Sequence, residues 1–400
     1  MSIKPHGSDT LNPLFVMDDD KRDALIKEAE GLPSIVISSA AAGNAVMLGS
    51  GYFNPLTGFM SVADAMAVAK DMHTTKGLFW PTPVLNVVED ASKVAKAKRI
   101  ALRDPNVEGN PVLAIQTVEK IETITDEQMA LMTQRVFRTD DMEHPGVKNF
   151  NTVGRTAISG PIQVLNFSYF ATEFPDTFRT AWQIRDEIKI RGWKKVVAFQ
   201  TRNPMHRAHE EVCRMGYERE NCDGILIHML LGKLKKGDIP ADVRDAAIRK
   251  MVEVYFPPNT VMVTGYGFDM LYAGPREAVL HAIFRQNSGC SFLIVGRDHA
   301  GVGSYYGGFD AQTIFHEEVK PGELQIKIFE ADNTAWSNKL GKIMMMRDAP
   351  DHKKEDWLFL SGTKVRAMLA AGEDLPKEFA RPEVAAILKQ YYMSEEGKAS

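Results

Sequence analysis

The sequence predicts an α/β protein organised around a parallel sheet, and three observations lead there. Short apolar runs at residues 195–199, 224–230, 260–264 and 291–295 alternate with amphipathic stretches at 205–219, 241–255 and 275–286, the βαβαβαβ order of a parallel sheet wrapped by helices. Up to about residue 165 the apolar runs are shorter, as at 34–37, 83–88 and 112–115, and Gly, Pro and Asn separate them, which reads as a mostly β region with helices inserted at 64–70 and 126–137. Beyond residue 325 a small region follows, with helices expected at 363–371 and 381–392. The expected domains are therefore 1–168, 169–325 and 326–400.

Composition narrows the function. The 400 residues are 44% hydrophobic and 25% charged with a net charge of -4, so no global positive field draws in nucleic acid or an anionic membrane. An anionic ligand must be held by a local site. Cys213, Cys222 and Cys290 are the only cysteines, and none forms the paired spacing of a zinc or redox motif. The start, through Leu14, has no apolar leader, and no run approaches the length of a membrane span, so a cytoplasmic, soluble protein is expected. The glycine-lysine pattern of a P-loop is absent, since Gly362-Thr363-Lys364 lacks its upstream glycine.

Parallel sheets bind ligands at the carboxyl ends of their strands, and two unusual segments lie there. Gln200-Thr201-Arg202-Asn203-Pro204-Met205-His206-Arg207-Ala208-His209-Glu210 follows the first strand. Asn203 reads as an N-cap and Pro204 as the first helical residue, giving a helix start able to hold an anion. His206 and His209 then share a face of the first turn, and Arg202 can fork onto a tetrahedral oxyanion. A metal reading of the histidine pair lacks a carboxylate or cysteine partner.

The second segment, Gly296-Arg297-Asp298-His299-Ala300-Gly301-Val302-Gly303, follows the strand at 291–295. Its glycines permit close backbone approach, Arg297 can meet phosphate, and Asp298 or His299 can meet ribose or base edges. A third, Ser361-Gly362-Thr363-Lys364-Val365-Arg366, places two cations in a helix's first turn, which suits a nearby phosphate. An ordinary capped helix with solvated charges reads equally well. Residues 51–58 read locally as a turn.

The first two segments together resemble the nucleotide-binding motifs of the ATP sulfurylase family, and the third is similar to a later serine- and threonine-rich phosphate motif of the wider superfamily. Residues 51–60, Trp80-Pro81, His144-Pro145-Gly146-Val147 and Arg381-Pro382-Glu383-Val384 look like further family landmarks, so the resemblance spans essentially the whole chain. It implies a Rossmann-like nucleotidylyltransferase catalytic domain, an N-terminal PUA-like β-rich domain and a small C-terminal α/β domain, without a fused APS kinase. The implied reaction joins ATP and sulfate into adenosine 5'-phosphosulfate and pyrophosphate, with Mg2+ accompanying ATP and the subunits forming a homo-oligomer, a dimer favoured.

The resemblance also implies roles. Gln200, Arg202 and the Ala300 backbone would hold sulfate. Gln200, Thr201, Arg202, Asn203, Gly296, Arg297, Asp298 and His299 would hold the nucleotide, with Thr334 near adenine. His206 and His209 would stabilise charge in transit, completing a catalytic set with Thr201, Arg202 and Asn203. No zinc is expected, because the region 336–350 where some relatives carry a cysteine-rich site has no cysteine. Two other readings stand beside this one: a related nucleotidylyltransferase with a phosphorylated acceptor, and a nucleotide- or RNA-binding protein without catalysis.

Overall fold

The computed structural model describes residues 3–232 and 239–394. Its N-terminal half carries a seven-stranded, largely antiparallel sheet whose hub is the strand Thr156–Val164. That strand pairs with Gly58–Phe59, Val87–Val88, Val112–Thr117 and Lys120–Thr123. The segment at 51–58 does turn, then feeds directly into this sheet. Gly58 is required there, because a Cβ would lie 2.1 Å from the Gly160 carbonyl oxygen.

Both expected helices are present. Val62–Asp71 is capped by Ser61, and Asp126–Phe137 begins on a reciprocal Thr125–Gln128 capping box, which satisfies amide groups the helix cannot. Three more were not anticipated: Asp19–Glu30, Ser39–Gly49 and Pro145–Thr152. The N-terminal half is therefore more helical than its punctuation suggests.

The second sheet has five strands, all parallel, in the order Val261–Tyr266, Gly224–Leu230, Val196–Thr201, Phe292–Val295, Lys327–Glu330. The first three run outward from the centre in chain order, and the fourth crosses to the opposite side of Val196–Thr201. This reversal opens a crevice between the carboxyl ends of Val196–Thr201 and Phe292–Val295. A three-stranded antiparallel sheet, Lys342–Met345, Thr334–Ser337 and Trp357–Leu358, leads on to helices Gly362–Ala370 and Pro382–Met393.

One helix joins the halves. All thirteen residues of Pro275–Asn287 are buried, and several of its polar side chains find partners in the N-terminal half. Arg276 donates to the carbonyls of Val68, Ala69 and Pro81 at 3.2, 3.1 and 3.0 Å. Asn287 donates to those of Tyr52 and Asn54 at 2.8 and 3.0 Å and accepts the His6 amide at 2.8 Å. Replacing Arg276 with Ala is expected to destabilise the protein by about 3 kcal/mol or more, since the buried carbonyls lose a charged donor. Denaturant unfolding measures this; a loss below about 1 kcal/mol would mean that water restores those bonds.

Candidate active site

The first segment departs from its expected form in one respect. The helix begins at Arg207, with His206 as its extended N-cap, rather than at Pro204 behind Asn203. The Thr201 hydroxyl explains the difference: it donates to the Asn203 carbonyl at 2.7 Å and accepts the Asn203 amide at 3.1 Å. This tight turn uses the backbone groups that a helix start would need. Met205 is buried, and the Arg207 amide donates to the Phe379 carbonyl at 3.0 Å.

The histidines still share a face. Their ring centroids lie 3.9 Å apart, and His209 Nδ1 accepts the His206 amide at 3.4 Å. A neutral His209 that accepts at Nδ1 carries its proton on Nε2, so that nitrogen is a donor. Burial holds the His206 imidazole well below its usual range, helped by the neighbouring ring, and lowers His209 to about 4. Both are therefore neutral at pH 7. His206 also stacks on Phe379 at 4.8 Å, and its Nδ1 is buried without a protein partner.

In the second segment the wholly buried strand Phe292–Val295 ends in a turn that puts Asp298 and Ala300 at φ 54° and 56°. Its backbone is fixed by three bonds: Asp298 amide to Gly308 carbonyl at 2.8 Å, Gly301 to Asp298 at 3.1 Å and Gly274 to Ala300 at 3.0 Å. No atom lies within 4 Å of where a Gly296 Cβ would be, which leaves open space over the backbone.

Arg202 connects the segments. Its Nη2 donates to the Gly301 carbonyl at 3.2 Å, its guanidinium lies 5.2 Å from the centre of the Tyr272 ring, and its buried Nη1 has no protein partner. An unpaired buried guanidinium nitrogen is a donor suited to an anion. Tyr272 is itself braced: its carbonyl accepts from the Tyr306 hydroxyl at 2.9 Å and lies 3.1 Å from Nε2 of His144 in the N-terminal half. Gly146 sits so close to this loop that a Cβ would come within 2.0 Å of the Leu271 carbonyl oxygen.

One cleft of about 320 Å³ is lined by Gln200, Thr201, Arg202, Asn203, His206 and His209 from the first segment, by Gly296, Arg297, Asp298, His299 and Ala300 from the second, and by Thr334. A smaller cavity of about 220 Å³ shares Arg202, Asp298 and His299 with it. Ser361 caps its helix by accepting the Lys364 amide at 3.2 Å, but the third segment does not line the cleft. Met270 and Asp332 do, and went unnoticed in the sequence. In the region compared with zinc-bearing relatives, Ser337 forms a polar turn instead, its hydroxyl 2.7 Å from His352 Nε2 and accepting the Leu340 amide at 2.9 Å.

The depressed histidines carry a stability consequence. His206, His209, His228, His281 and His299 all have folded pKa values below the ordinary 6.5, with burial the leading cause. The unfolded chain then binds protons first as pH falls, so their contribution to stability is present above pH 6.5 and is lost as pH descends below it, for His209 toward about 4. Thermal midpoints are expected to fall steadily across that window, and a flat profile would contradict neutral histidines in the fold.

A crevice at the switch point of a doubly wound sheet, with a backbone turn on one strand end and a helix start on the other, defines a nucleotide-binding α/β protein. A model of the family described as ATP-sulfurylase matches residues 175–391, and one described as PUA-like domain matches residues 3–167. The chain belongs to the ATP-sulfurylase family. It is 67% identical to a sulfate adenylyltransferase of Alcanivorax borkumensis, covering 98% of each chain. It is 66% identical to one of Allochromatium vinosum, covering 98% of this chain and 99% of the relative. A third, from Thiobacillus denitrificans, is 46% identical over 98% of this chain and 94% of its own. Among solved structures, a hexameric APS kinase from Thiobacillus denitrificans shares the fold, with a TM-score of 0.73 and 24% identity over 99% of this chain and 69% of that one.

Proposed function

We infer that this enzyme is a sulfate adenylyltransferase, converting ATP and sulfate reversibly into adenosine 5'-phosphosulfate and pyrophosphate. The observation that carries the reading is the buried, unpartnered Nη1 of Arg202 in a switch-point cleft. The curated relatives bear the same name along nearly the full chain. A sulfate oxygen attacks the α-phosphorus, the bond to the bridging oxygen breaks, and pyrophosphate leaves with the electron pair. Sulfate is a dianion at neutral pH, so no base is required; the demands are alignment and neutralisation of charge.

We assign the roles as follows. Gln200, Arg202 and the Ala300 backbone hold sulfate. Thr201 to Asn203 and Gly296 to His299 hold the nucleotide, and Thr334 flanks its base. His206 and the Nε2–H of His209 donate to phosphate oxygens as charge builds on the departing pyrophosphate. Magnesium is read as part of the nucleotide substrate, where it would neutralise phosphate charge.

A homo-oligomer, with a dimer first, is proposed and is checked by light scattering. No helix among the described residues is long and apolar enough to cross a membrane. A cytoplasmic site is proposed on the three free, buried cysteines, which suit a reducing compartment. The deciding experiment supplies magnesium, pyrophosphate and adenosine 5'-phosphosulfate to the full chain and measures ATP. Formation of ATP only when the phosphosulfate is present is expected. A folded sample that makes none would return the assignment to a phosphorylated acceptor.

A further inference from the structure

Behind the cleft, two buried titratable side chains have no role in the scheme above. Glu277 and His281 lie one turn apart on the buried helix Pro275–Asn287, and neither is exposed. Glu277 Oε1 accepts the Leu271 amide and Oε2 the Ala273 amide, each at 3.1 Å. His281 Nε2 faces Glu277 Oε1 at 3.6 Å, and His281 Nδ1 lies 3.0 Å from Nε2 of His299. The row Glu277, His281, His299 thus runs from the core to the cleft.

We propose that Glu277 and His281 are positioning residues that fix His299 as a hydrogen-bond acceptor toward the cleft, so that it takes a sugar hydroxyl of the nucleotide rather than a phosphate or sulfate oxygen. The proposal rests on reading the cleft as the ATP site. Its logic is electrostatic at the first link and bond direction at the second. His281 Nε2 is buried with no hydrogen-bond partner, and at 3.6 Å the Glu277 carboxylate, too far to bond, favours a proton on that nitrogen over a lone pair. With its proton there, neutral His281 offers a lone pair at Nδ1, so His299 must donate from Nε2. The remaining nitrogen, His299 Nδ1, is then bare. No protein group among the described residues bonds to it, while the His299 ring lines the cleft and its adjoining cavity. A bare nitrogen repels an anionic oxygen and attracts a hydroxyl proton.

The surroundings hold this state. Arg202 from the first segment and Arg285 from the same buried helix add positive charge, and with burial they keep both imidazoles below their ordinary range. Burial raises Glu277 to about 7 against the pull of its amides and Arg202, with Tyr306 and the N-terminal His144 close enough to sense its charge. At about pH 8 the carboxylate predominates, and the direction of the row is set.

Two measurements on the full chain test this. Proton–nitrogen correlation spectra of 15N-histidine-labelled protein at about pH 8 are expected to show His281 and His299 protonated on Nε2 with Nδ1 bare. A proton on His299 Nδ1 overturns the proposal, and this readout needs no core substitution beyond those used for assignment. Kinetically, wild type is expected to favour ATP over either 2'-deoxy- or 3'-deoxy-ATP by about tenfold in kcat/KM. His281→Leu should erase most of that preference, whereas His281→Asn, which restores an acceptor near His299, should recover it. Undiminished preference in a folded His281→Leu variant, or no preference in a wild type that turns over ATP, sinks the proposal. Failure of wild type to use ATP at all sinks the underlying reading instead.

Discussion

Replacing Arg202 with lysine is expected to lower kcat/KM for sulfate by about a hundredfold or more, the scale of losing a donor aimed at charge developing in a transition state. Lysine keeps the charge but is a single point donor. It cannot hold the Gly301 carbonyl through one nitrogen, present a second to an anion and keep a guanidinium over Tyr272 at the same time. The measurement is initial rate against sulfate concentration at saturating ATP. Near wild-type turnover at limiting sulfate would remove Arg202 from the sulfate site and leave Gln200 and the Ala300 backbone to carry it.

The second large effect is expected at the paired histidines, His206 and His209. His209→Asn should lower kcat about a hundredfold while moving KM for ATP by no more than about threefold, because a bond that strengthens as charge moves to the pyrophosphate affects the transition state more than the bound substrate. Asparagine can still accept the His206 amide, so the helix start is kept, but it has no counterpart to the outer N–H of the ring. His206→Asn should act in the same direction and additionally lose the packing on Phe379. If either variant altered only KM for ATP, the histidines would be uniform binding groups. Steady-state kinetics in both directions separate the two outcomes.

Much of this site could be read from the sequence because its two principal segments follow buried strands directly, so local pattern fixes their place at a sheet edge. The exact helix start could not, since Asn203 and Pro204 are a sound cap and first residue in isolation. The Thr201 hydroxyl competes for the same backbone and wins. Periodicity failed at Ser39–Gly49 because eight of its eleven residues are buried, leaving no polar face to mark a helix. It failed at Asp19–Glu30 for the opposite reason, only Leu25 and Ala29 being buried. Lys327–Glu330 is a short edge strand with a single buried residue, too little pattern to extend the sheet past residue 325. Tyr272, Glu277 and His281 serve the site only through contacts made in three dimensions, and nothing in their immediate sequence announces them.

The buried helix Pro275–Asn287 bears on how such a protein can change. Arg276 and Asn287 spend their hydrogen bonds on carbonyls of the N-terminal half, while Glu277 and His281, on the same helix, stand behind the cleft. A segment that looks like a portable module is therefore one side of a shared interior. Recombination between relatives that exchanged it alone would graft a foreign surface onto polar groups shaped for another, and the mismatch would be felt at the nucleotide. Inheritance of the two halves as a matched pair follows from that geometry, as does a preference for variation on the outer helices, where neither half constrains the other.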